Sequence, residues 1–143
     1  MISAMKWQCN SLEELPSICV ELQSKLRPGT LCVLDGEMGA GKTTFVATFL
    51  RQFGFEDVSS PSFSLVQHYD AKIPVYHIDL YRLEGGGDVD MLDLDYYFKQ
   101  KDHLIFVEWA SKLAVIEAPY VKLSIQRSNQ GSEQRLITFT HVS

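Results

Sequence analysis

Long apolar runs are missing from this sequence: no stretch approaches the roughly 20 residues that a membrane-spanning helix needs, so a helical membrane protein is not expected. The opening MISAMKWQCN has no apolar core of the secretory-signal kind, and no leader is expected. Cysteine is scarce. Cys9, Cys19 and Cys32 make an odd count without a C-x-x-C pair, which argues against a disulfide framework or a zinc site and fits a reducing cytosol. Basic residues are in deficit, 13 Lys and Arg against 18 Asp and Glu, for a net charge of −5. A chain so charged lacks the basic face with which a protein grips a phosphate backbone unaided. Repeats, low-complexity tracts and Pro-, Gly- or Ser-rich linkers are also absent. What remains is a single domain over residues 1–143, expected in the cytoplasm, whose 45% hydrophobic residues suffice for a core without covalent staples.

The apolar pattern reads as alternating strands and helices. MKWQC suggests a first strand, and residues 10–26 a helix with Leu12, Leu15, Cys19, Leu22 and Leu26 on one face. Ser11 and Glu14 have capping-box spacing, and Pro16 falls just past the first turn, where it conflicts with a regular helix. TLCVLD and HLIFVEWA do not alternate, the mark of strands buried on both faces. A second helix is expected from Lys42 to Phe53, and a short one in MLDLDYYFKQ. SFSLVQHY and PVYHIDLYRL, joined by DAKI, read as a hairpin, as do YVKLSIQR and QRLITFTHV around SNQGSE. EGGGDVD reads as a loop. The expected fold class is α/β, with parallel central strands mixed with antiparallel ones.

Between TLCVLD and the second helix stands DGEMGAGKTTF. Gly36 to Thr43 matches G-x-x-x-x-G-K-[ST], the P-loop pattern, in the strand-turn-helix setting that pattern requires. Its glycines let successive backbone N–H groups curl around phosphate oxygens. Lys42 would reach the β- and γ-phosphates, and Thr43 would offer a hydroxyl to Mg²⁺. The helix that starts here aims its positive end at the same phosphates. Glu37, Met38, Gly39, Ala40, Gly41, Lys42, Thr43 and Thr44 thus form the expected nucleotide-binding set.

A P-loop needs further groups for chemistry. Glu108 ends the apolar strand LIFV, as a Walker-B acid does, and is a candidate metal ligand; the alternative is a solvated strand-end carboxylate. Asp79, in YHIDLYR, shares a strand face with His77 and is a candidate for positioning the attacking water; alternatively this pair is satisfied by neighbouring hydroxyls or by Arg82. The hydroxyl-rich SSPSFSLV, stiffened by Pro61, could bring Ser62 or Ser64 to the metal or the γ-phosphate. Trp109 reads more readily as core than as a lid, and His68, His103 and His141 have no metal-ligand spacing.

GEMGAGKTTF, SPSFSLV, YHIDLYRLE and FVEWA, in this order and at this spacing, resemble the TsaE (YjeE) family of small bacterial P-loop ATPases. The resemblance runs from about residue 8 to residue 126. It implies a P-loop NTPase-like three-layer sandwich with a mixed central sheet, ATP or ADP and Mg²⁺ in the glycine turn, Lys42 on phosphate, and Thr43 and Glu108 on the metal. Lys42, Asp79 and Glu108 would be the catalytic residues. The implied work is threonylcarbamoyladenosine modification of tRNA adenosine 37, with TsaD and TsaB as partners and tRNA met only through their complex. The chain departs from the family at Ser62 and Ser64, where Thr is frequent, and at Ala110, where Pro is common. A family Thr in the first helix aligns near Leu15, and Ser11 is its stand-in here as a nucleotide contact. Two other readings share the P-loop: a small-molecule or nucleoside kinase with Asp79 as base, and a nucleotide sensor without turnover. The missing N-K-x-D motif favours adenine over guanine.

Overall fold

The structure is a computed structural model that describes residues 4–56, 66–70, 72–81, 94–113, 116–117, 119–128 and 133–143. Pro61, Ser62, Ser64, Arg82 and EGGGDVD lie outside the described residues, as does part of SNQGSE.

Among the described residues seven strands form one sheet in the order β1-β7-β6-β2-β5-β4-β3. They are β1 (Ala4–Cys9), β2 (Leu31–Asp35), β3 (Val66–Asp70), β4 (Pro74–Asp79), β5 (Leu104–Glu108), β6 (Tyr120–Arg127) and β7 (Arg135–Val142). β6, β2, β5 and β4 run parallel, and β1, β7 and β3 pair antiparallel at the flanks. The mixed sheet and both hairpins of the sequence reading are therefore present. Burial on both faces explains why β2 and β5 do not alternate: all five residues of β5 are buried.

Two helices, α1 (Leu15–Leu22) and α2 (Lys42–Arg51), contribute to a core on one face. There Phe106 of β5 meets Phe45 and Phe49 of α2 edge-on, at 6.3 and 5.7 Å between ring centroids. On the opposite face Leu94, which opens the short helix α3 (Leu94–Phe98), packs with Ile78, Leu80, Ile105 and Val107. The result is three layers, helix on sheet on helix.

The first helix departs from expectation. It is split into a 3-10 turn, Leu12–Glu14, followed by α1, so that Pro16 falls in the first turn of α1, where its missing N–H costs nothing. The capping box does not close: Ser11 makes no side-chain cap bond, while the Glu14 carboxylate accepts from the Asn10 N–H at 2.6 Å. Leu12, assigned to the apolar face, stands in the 3-10 turn and is 67% exposed; Ile18 takes its place in the core.

Cys9, Cys19 and Cys32 are free thiols, all buried. Burial pushes each above its ordinary value, Cys19 from 9.0 up to about 12. A folded-state thiol held protonated stabilises the fold fully below pH about 9, and that stability is lost as pH rises toward the folded value. Between pH 8 and 10 the wild type should therefore lose about 1.4 kcal/mol more than Cys19→Ala. Urea unfolding of both proteins at the two pH values measures this, and equal losses would contradict it.

Candidate functional site

Chain direction gathers the candidate residues. β2, β5 and β4 are parallel neighbours, so their C-terminal ends emerge at one edge of the sheet, the usual ligand edge of such folds. Leu34 pairs with Glu108, and Glu108 with Asp79. The turn into α2 begins beside them at Gly36. A Cβ at Gly36 would stand 2.6 Å from the carbonyl oxygen of Ile125, so no side chain fits there. Gly39 (φ +80°) and Gly41 (φ +113°) adopt left-handed backbone, which glycine enters without steric cost. Gly41 occupies the N-cap of α2 and gives it no side-chain cap. The first N–H groups of this helix thus lack a capping acceptor, and with the helix dipole they make an end suited to an anion.

Lys42 opens α2 and is only 6% exposed. Its Nζ donates to the Gly36 carbonyl at 2.8 Å and lies 3.9 Å from the centroid of the Trp109 ring. Trp109 is the one non-glycine residue with positive φ (+61°) among the described residues. That conformation costs an L-residue about 1–2 kcal/mol. It turns the chain out of β5 into a 3-10 turn, Ala110–Lys112. Trp109 is therefore more than core: it packs on the second core, carries Tyr81 on its ring at 4.9 Å, and offers its π-face to Lys42.

Glu108 is 3% exposed, which rules out the solvated-carboxylate alternative. Its Oε2 lies 2.5 Å from Nε2 of His77, which is fully buried. An ionised carboxylate can only accept, so opposite an ionised Glu108 it is Nε2 that donates. Among the described residues the partner of His77 is thus an acid on the neighbouring strand; Arg82, one of the alternatives left open by the sequence, lies outside them. Nδ1 of His77 is buried without a hydrogen-bond partner among the described residues. Asp79, half-buried, accepts the Tyr81 N–H at Oδ1 (2.9 Å).

The other expected residues gather around the turn. Thr43 is half-buried, while Glu37, Met38 and Thr44 are exposed. Ser11 lines a cavity of about 300 Å³ with Gly39, Ala40, Gly41 and Thr44, so the first-helix junction does meet the glycine turn. Two residues the sequence reading missed touch the turn from outside. Arg127 donates to the Gly39 carbonyl at 2.9 Å and Arg135 to that of Ala40 at 2.8 Å. No cluster of metal-binding side chains occurs among the described residues, and none of their helices is long and apolar enough to cross a membrane.

Comparison with known proteins places this arrangement. The family model "Threonylcarbamoyl adenosine biosynthesis protein TsaE" matches residues 9–137. A tRNA threonylcarbamoyladenosine biosynthesis protein TsaE from Bacillus subtilis (strain 168) is 36% identical over 140 residues, covering 96% of this chain and 86% of the relative. The protein of the same name from Streptomyces coelicolor is 36% identical over 126 residues, covering 83% and 84%. A crystal structure of Bacillus subtilis YdiB superposes with a TM-score of 0.78 at 31% identity, over 100% of this chain and 88% of that one.

The His77–Glu108 bond carries a prediction. His77→Ala leaves a buried carboxylate unpartnered and should cost about 3–5 kcal/mol in urea unfolding. Glu108→Gln keeps an acceptor oxygen and should cost less. A loss for His77→Ala no larger than that for Glu108→Gln would show that this bond does not hold Glu108 in place.

Proposed function

The chain belongs to the TsaE family and serves tRNA threonylcarbamoyladenosine biosynthesis; from that premise we propose that it is an Mg²⁺-dependent cytoplasmic ATPase that acts with TsaD and TsaB in modifying adenosine 37. The observation that carries this reading is the buried Lys42 at the uncapped start of α2, on the same sheet edge as Glu108 and Asp79.

The residues fit the nucleotide. A Cβ at Gly41 would meet nothing within 4 Å, so the turn is open at the start of α2, and its helix end and ammonium both favour polyphosphate. On binding, Lys42 would exchange the Gly36 carbonyl for phosphate oxygens. The Thr43 hydroxyl and the Glu108 carboxylate are the hard oxygen donors that suit Mg²⁺. The ion, when bound, neutralises phosphate charge. In hydrolysis, water adds to the γ-phosphorus, the bond to the bridging oxygen breaks, and ADP and phosphate leave. Asp79 accepts a hydrogen bond from that water and so orients it. Its place opposite Glu108 in the strand register supports this role. Ser11 and Thr44, beside the glycine turn, are candidates for contacts to the rest of the nucleotide.

The partners answer a physical need. Efficient hydrolysis requires a closed, ordered site. Met38, 64% exposed, and Tyr81, 46% exposed, give its mouth an apolar rim of the kind a protein surface covers. The net charge of −5 fits contact with tRNA through that complex rather than directly.

ATP hydrolysis by the purified chain, alone and with TsaD and TsaB, tests the proposal. Turnover should be slow alone, rise with both partners, need no small acceptor, and fall by about 10²-fold or more in Lys42→Ala. Asp79→Ala should bind ATP and fail to hydrolyse it. Turnover that ignores the partners and depends on a small hydroxyl acceptor would favour a kinase. Binding without turnover in the full complex would make the chain a sensor.

A further inference from the structure

Turning the amides of a phosphate loop inward turns some of its carbonyls outward, and each outward carbonyl needs a partner of its own. Here the partners of two of them are arginines. Nη2 of Arg127 donates to Gly39 and Nε of Arg135 to Ala40. The arginines lie directly opposite each other across the β6–β7 hairpin. Like charges at directly opposed positions repel, so the hairpin by itself gives no reason for the pair. The loop carbonyls do. Topology brings them together: β6 runs parallel to β2 and beside it, so it ends where the loop begins, and β7 starts back from the same edge.

The loop is shaped to this contact. A Cβ at Gly39 would stand 3.1 Å from Nη2 of Arg127, so a side chain there would crowd the guanidinium as well as strain the backbone. Gly36 packs against the Ile125 carbonyl of the same strand. The hairpin thus meets the loop at three points, through Ile125, Arg127 and Arg135.

We propose that Arg127 and Arg135 are positioning residues that brace the phosphate loop from outside, holding the Gly39 and Ala40 carbonyls outward so that the loop is shaped for an anion before one arrives. The brace deepens the nucleotide reading of this loop and, in its effect on affinity, rests on it. Preorganisation of this kind lowers the ordering cost of binding, so its loss should appear in affinity. Arg135, half-buried, should matter more than the exposed Arg127.

The test compares the full-length wild type with Arg127→Ala, Arg135→Ala, the double variant and Arg135→Lys, which keeps the charge and one donor. Calorimetry with Mg²⁺ and ADP gives affinity, and hydrogen exchange on the nucleotide-free proteins reports the amides of residues 37–41. Arg135→Ala should weaken ADP about tenfold, Arg127→Ala less and the double variant most. Loop amides should exchange faster in each, and Arg135→Lys should recover most of both. Unchanged loop exchange in the double variant overturns the brace, even if affinity falls, because the arginines would then act on the nucleotide directly. If the wild type binds no ADP, the nucleotide reading fails; faster loop exchange in the variants would still support the brace.

Discussion

The buried ammonium of Lys42 is the constraint around which the site is arranged. A cation out of water must be compensated locally. The compensation comes from the Gly36 carbonyl and the face of Trp109. Each contact constrains its neighbourhood. The carbonyl is available because the glycine turn folds Gly36 back under the start of α2. The aromatic face is available because Trp109 adopts a left-handed backbone as β5 ends. Two elements far apart in sequence thus meet at one nitrogen, and strain at Trp109 is the local cost of that meeting.

The same edge of the sheet holds the acids. Glu108 precedes Trp109 and is tied to His77, one strand over, while Asp79 opposes it in register. Since strand side chains alternate, His77, Asp79 and Glu108 all project to the face that α2 covers. The cation at the helix start and the carboxylates at the strand ends therefore lie along one edge of the sheet without any long-range loop. The β6–β7 hairpin closes the far side of the turn through its two arginines. The loop lies between a strand-end acid system and a basic hairpin end, a division of charge that suits a polyanion chelated to a cation.

Much of this was legible in the sequence because it is local. G-E-M-G-A-G-K-T, set between an apolar strand and an amphipathic helix, locates the turn, Lys42 and Thr43, and LIFV before Glu108 locates an acid at a strand end. Both hairpins were readable from alternation and turn residues. What was not legible depends on which strands lie side by side. Spacing in one dimension does not reveal that β4 neighbours β5, and so the His77–Glu108 bond was missed. Arg127 and Arg135 look like ordinary hairpin-end charges until β6 is placed beside β2. The first helix was misread for a local reason. Pro16 favours the first turn of a helix over later positions, so α1 starts later than the apolar spacing suggests and Leu12 is left outside the core.

The central claim is that Lys42 leaves Gly36 and Trp109 for the phosphates of ATP. Proton NMR at the Lys42 side chain tests it most directly, because a lysine 3.9 Å from an indole centroid is shielded by the ring. The account predicts upfield-shifted Lys42 methylene signals in the free protein that return toward ordinary lysine values as Mg²⁺ and ATP saturate the site. Signals that stay upfield at saturating ATP would contradict it.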